Sequence, residues 1–91
     1  MDLRDTTFSG ADFSEAFLLA DFRRANLEGC IFDRANVKTC DFRGANLRNA
    51  SFIEAAIDGA EFAEAKTEGA SFEGATAYGH VLRKGQSPNA V

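Results

Sequence analysis

Few side chains in this sequence could do covalent or metal chemistry, and they are scattered. His80 is the single histidine, and Cys30 and Cys40 are the two cysteines. A serine or cysteine nucleophile needs a base within hydrogen-bonding reach. The only histidine sits in the C-terminal tail beside Tyr78, away from both thiols. An acid–base site would therefore need a pocket formed by the tail around His80 and Tyr78. A structural zinc needs four nitrogen or sulfur ligands, and three His and Cys residues cannot supply them. No glycine-rich phosphate loop of the Walker or dinucleotide type is present. No catalytic residue, cofactor, metal or small-molecule substrate is expected, and the chain reads as a non-enzyme.

What remains is surface chemistry. The formal net charge is −4 and the pI about 4.8, which argues against non-specific attachment to nucleic acid or anionic membrane. The acids concentrate late in the chain. Glu54, Asp58, Glu61, Glu64, Glu68 and Glu73 face a single base, Lys66, and form a candidate acidic interaction belt. Residues 22–50, by contrast, carry Arg23, Arg24, Arg34, Lys38, Arg43 and Arg48. A candidate apolar contact patch comprises Phe17, Leu19, Ile31, Ile53 and Tyr78, which occupy positions otherwise held by polar residues. No apolar run approaches the length of a transmembrane helix. The start, Met1–Asp5, has neither the basic flank nor the apolar stretch of a leader, so a cytoplasmic location is expected. Two cysteines make no disulfide framework.

Whether these residues share a surface depends on what positions them, and that is a repeat. From Ala20 the chain reads in fives: ADFRR, ANLEG, CIFDR, ANVKT, CDFRG, ANLRN, ASFIE, AAIDG, AEFAE, AKTEG, ASFEG, ATAYG. The first letter is always Ala or Cys. The third is Phe22, Leu27, Phe32, Val37, Phe42, Leu47, Phe52, Ile57, Phe62, Thr67, Phe72 and Ala77. Upstream run MDLRD, TTFSG, ADFSE and a four-letter unit, AFLL, so one residue is missing after Leu18 or Leu19. The repeat domain spans 1–79, with a phase break near 18–20, and 80–91 form a non-repeat tail.

A period of five is neither a helix nor a long strand. Within each unit, apolar first and third residues flank a polar second one, as in a three-residue in-out-in strand. The fourth and fifth residues have the composition of a corner. Gly10, Gly29, Gly44, Gly59, Gly69, Gly74 and Gly79 all fall in the fifth slot, where a type II turn needs positive φ. Units with Arg24, Arg34, Glu54 or Glu64 there are expected to use another turn type. Phe alternates with smaller residues from unit to unit. Four units per coil then stack like on like, giving Phe22/Phe42/Phe62 and Phe32/Phe52/Phe72 columns. The same register sets Arg34 beneath Glu54 and Lys38 beneath Asp58. Cys30 and Cys40 fall on opposite walls, so no disulfide is expected. Phe17, at the missing residue, is expected to be able to fold inward.

The unit resembles the pentapeptide-repeat pattern, Ala-(Asp/Asn)-(Leu/Phe)-X-X, over residues 1–79. The resemblance implies an all-β fold, a right-handed quadrilateral parallel β-helix, here of about four coils. It does not imply one function. The primary expectation is a non-catalytic structural or protein-interaction module whose partner is another protein or a second copy, joined end to end in a homo-dimer. Direct nucleic-acid binding and membrane attachment are not expected. The alternative is a DNA-mimicking ligand of DNA gyrase or topoisomerase, which protects it from quinolones or inhibits it. That role would use the acidic belt. Against it, the family's gyrase-binding members are longer rods with a C-terminal helical cap, and the tail here, with Gly85 and Pro88, is too short for one.

Overall fold

Each unit is extended over its first three residues and turns over its last two. The turn closes when the first N–H of the next unit donates back to the third carbonyl, as from Ala25 to Phe22 (3.0 Å) and from Ala45 to Phe42 (3.0 Å). The fifth residue between them has positive φ in the unit that ends at Gly44 (70°) and equally in the one that ends at Arg24 (59°). Positive φ at this position is the signature of a type II turn. Asp5, Glu15, Arg34, Thr39, Asn49, Glu54 and Glu64 also lie between 58° and 62°. One corner therefore serves glycine and non-glycine units alike. The second turn type expected for Arg24, Arg34, Glu54 and Glu64 does not occur. Bending without glycine costs on the order of 1–2 kcal/mol per residue, so the coil pairing below must impose it.

The computed structural model describes residues 1–88; the last three residues of the tail lie outside them. Second-position residues form parallel bridges to residues twenty further on, or nineteen where the partner precedes Ala20. Four ladders result: Asp2–Asp21–Asp41–Glu61, Thr7–Asn26–Asn46–Lys66, Asp12–Ile31–Ser51–Ser71 and Phe17–Asn36–Ala56–Thr76. We number them one to four. From Leu3 to Ile57 each third-position N–H donates to a second-position carbonyl in the following coil, as from Phe22 to Asp41 (2.8 Å) and from Phe42 to Glu61 (2.8 Å). The missing residue is a shortened corner. Leu18 keeps the third slot, its N–H bonded to the Asn36 carbonyl (2.9 Å), and Leu19 leads directly to Ala20.

This register piles identical side chains inside. Phe22, Phe42 and Phe62 stack with centroids 5.2 and 5.1 Å apart; Phe32, Phe52 and Phe72 stack at 4.7 and 4.9 Å. The two columns meet edge to face, as between Phe42 and Phe52 at 90°. Ala25, Ala35, Ala45 and Ala55 are buried with Cys30 and Cys40, and the small side chains let the walls approach. Both thiols are free. They donate to the carbonyls of Phe8 and Leu18, and burial raises their pKa values.

The two ends differ. At the N-terminal end Leu3, Phe8, Phe13 and Leu18 are only partly buried. At the other, the last unit reverses direction. Strand β1 (Thr76–Ala77) pairs antiparallel with β2 (His80–Val81) around Tyr78 and Gly79, both at positive φ (51° and 84°). A two-residue type I′ hairpin needs that pair of angles. The reversal carries Leu82 back over the core, 1% exposed, with its N–H on the Ala75 carbonyl and its carbonyl on the Gly74 N–H, both 2.8 Å.

The stacks put the largest energetic weight at mid-column. Phe42→Ala is expected to cost about 3–5 kcal/mol, as fully buried aromatic truncations do. Phe8→Ala, at the partly open first coil, is expected to cost less than half of that. Urea denaturation midpoints measure both, and equal losses would contradict this packing.

Candidate interaction surface

With the interior filled by side chains, chemistry is carried by outward positions. At second positions Asp and Asn share one structural task. Their Oδ1 accepts the backbone N–H two residues on, from Arg4 to Asp2, Ser14 to Asp12, Arg23 to Asp21, Glu28 to Asn26, Lys38 to Asn36, Arg43 to Asp41 and Arg48 to Asn46 (2.9–3.2 Å). These Asx bonds organise the corner. Ile31 has no side-chain acceptor for one, and Ser51 does not make one. In the second of those units Asp33, from the coil below, accepts both the Ile53 N–H (3.1 Å) and the Ser51 hydroxyl. The sequence showed only that these positions are polar; the shared i to i+2 spacing was the available signal.

Ladder one is the most charged. Arg4, Arg23 and Arg43 each grip the carboxylate two residues before them, at 2.8, 2.7 and 2.6 Å. Arg4 also approaches Asp21 (3.8 Å) and Arg23 approaches Asp41 (3.7 Å), so the pairs link along the wall. Asp41 is held below the usual carboxylate range chiefly by the Arg43 side-chain hydrogen bond; desolvation opposes this and the Arg43 N–H assists. Asp21 is lowered in the same way by Arg23. Other ion pairs depart from the expected stacking. Arg34 reaches back to Glu15 (3.5 Å) rather than up to Glu54, and Arg24 reaches back to Asp5 (2.9 Å). Among the described residues no ion pair joins Lys38 to Asp58; Arg48 does approach Glu68 (3.9 Å).

The acidic candidates encircle the later coils. Glu61 and Glu64 belong to ladder one, Glu68 to ladder two, Glu54 and Glu73 to ladder three, and Asp58 to ladder four. The apolar candidates divide. Phe17 (68% exposed), Leu19 (60%) and Tyr78 (76%) all lie on ladder four, and the inward turn foreseen for Phe17 does not occur. Ile31 and Ile53 lie together on ladder three, half-buried. Met1, not among the candidates, joins the first group, because its amino group donates to the Leu19 carbonyl (3.0 Å). An open crevice of about 320 Å³ at the capped end is lined by Ile57, Phe62, Tyr78, Glu61 and His80. His80 and Tyr78 do meet there, but among the described residues no side-chain hydrogen bond links them to each other or to Glu61. No helix of the described residues is long and apolar enough to cross a membrane.

The family model for pentapeptide repeats matches residues 20–56 with eight copies. Over those residues the chain is similar to the pentapeptide-repeat family. Rfr23, a pentapeptide repeat protein from the cyanobacterium Cyanothece, is similar in structure, with a TM-score of 0.55 and 23% identity over 70% of this chain and 51% of Rfr23. That likeness concerns the β-helix fold alone. HetL, a pentapeptide repeat protein from the cyanobacterium Nostoc, is 29% identical over 89% of this chain and 43% of its own, with a TM-score of 0.46. QnrB1, a plasmid-mediated fluoroquinolone resistance protein, is 20% identical over 85% of this chain and 51% of its own, with a TM-score of 0.47. The chain spans about half the length of these proteins, or less. No curated protein sequence matches it.

The Asp–Arg pairs give the pentapeptide-repeat coil an acid-sensitive wall. Asp21 and Asp41 ionise at lower pH when folded than when unfolded, so at intermediate pH the unfolded chain binds more protons. Their stabilisation is complete above the ordinary Asp value of about 4 and is lost as pH falls through the folded values. Tm is expected to drop between pH 5 and pH 2. Asp41→Asn keeps the Asx bond but not the charge, so it should lower Tm at pH 7 and narrow the gap between pH 7 and pH 3. Thermal circular dichroism measures this; an unchanged gap would show that the pair is not responsible.

Proposed function

We propose that this chain is a non-catalytic interaction module, a right-handed, four-sided coil of about four turns that works by binding protein through its outer surface. The observation that carries this reading is the division of labour across the wall. Every buried core side chain is apolar, and variation between units falls on outward positions. One ladder keeps large apolar groups in water at both of its ends, Phe17 and Leu19 at one and Tyr78 at the other. The partner is another protein or a second copy.

The DNA-mimicking reading finds less support. A surface that replaces duplex needs a continuous acidic face. Here the six acids are spread around the coil, Lys66 lies among them and Arg48 approaches Glu68. The purified chain is expected to leave gyrase supercoiling and its quinolone sensitivity unchanged, while sedimentation velocity shows self-association at micromolar concentrations. Inhibition of gyrase would overturn the module reading, whereas a monomer across that range would leave another protein as the partner.

A further inference from the structure

We propose that ladder four is a dimer face, where two copies of this chain lie side by side with their coil axes antiparallel. The inference rests on the module reading above. The fourth-position column on this ladder runs Leu19, Lys38, Asp58, Tyr78: apolar, cationic, anionic, apolar. At about 4.8 Å per coil it is some 14 Å tall. A two-fold axis crossing the face between Lys38 and Asp58 sets the same column, reversed, opposite itself. Leu19 then faces the partner's Tyr78, and Lys38 faces the partner's Asp58, each contact occurring twice. An isologous interface requires this self-complementarity.

The neighbouring column obeys the same symmetry in size. It runs Phe17, Asn36, Ala56, Thr76, so the bulky end of one copy meets the small end of the other. Tyr78 is laid against the wall, because a side chain at Gly59 would meet its hydroxyl at 3.1 Å. No ion pair among the described residues uses Lys38 or Asp58; Asp58 Oδ2 accepts the Tyr78 N–H (2.9 Å), which leaves its other oxygen for the contact. Parallel axes would instead set Lys38 level with Lys38. One of the two ends is covered by Leu82, so an end-to-end pair would have only the first coil to use. The molecule measures 30 × 23 × 22 Å. One wall therefore buries on the order of 1,000 Å² over both partners, the low end for a specific interface, and a micromolar Kd is expected.

Sedimentation velocity of the full chain and three variants, each checked for fold by circular dichroism, tests this. Lys38→Glu sets two acids face to face and Asp58→Lys two bases, and each is expected to weaken dimerisation at least ~10-fold. The double variant restores opposite charges across the face and should return to within ~3-fold of the parent. If the parent dimerises but the single variants associate equally well, or the double variant is no better than either, this face is wrong while the module reading stands. A parent that stays monomeric defeats the dimer face and leaves the module reading with another protein as its partner.

Discussion

Every five residues this backbone must turn a corner through positive φ, and every twenty residues its N–H groups must meet carbonyls one coil away. The second requirement enforces the first. Arg24, Arg34, Thr39 and Glu64 would not choose φ near 60° by themselves. They adopt it because Phe22 and Phe42 must donate to Asp41 and Glu61. A residue that relaxed to negative φ would rotate the next strand out of register and break several such bonds at once. The ladder thus overrides local preference.

Once the corners are uniform, the interior follows. Strand residues in one slot lie one above another, so a Phe in alternate units becomes two continuous aromatic columns. The Ala and Cys slots hold the walls close enough for those rings to fill the interior. Two of the fifth-position stacks show the same economy of space. Side chains added at Gly44 or Gly74 would meet the Arg24 or Glu54 stem at 3.3 or 3.0 Å.

The core was legible in the sequence because it depends only on spacing, and spacing survives in letters. The columns Phe22/Phe42/Phe62 and Phe32/Phe52/Phe72, and the short corner after Leu18, could be read in advance. The corners could not, because φ at Arg24 is decided by pairing twenty residues away. The tail was equally hidden: Tyr78-Gly79 occupies the slots of another type II corner, yet both residues take positive φ and the chain reverses. For the surface, sequence found the apolar residues but not their grouping. Phe17, Leu19 and Tyr78 are far apart in the chain and share a wall only because the register returns to ladder four.

The account depends most on that register, and scalar couplings across backbone hydrogen bonds in the labelled chain measure it directly. The structure places the Phe22 N–H on the Asp41 carbonyl, the Phe32 N–H on Ser51 and the Phe42 N–H on Glu61. Couplings between those three pairs are the expected result. Couplings from Phe22 to Asn36 and from Phe42 to Ala56 instead, the signature of three units per coil, would contradict the fold and every surface derived from it.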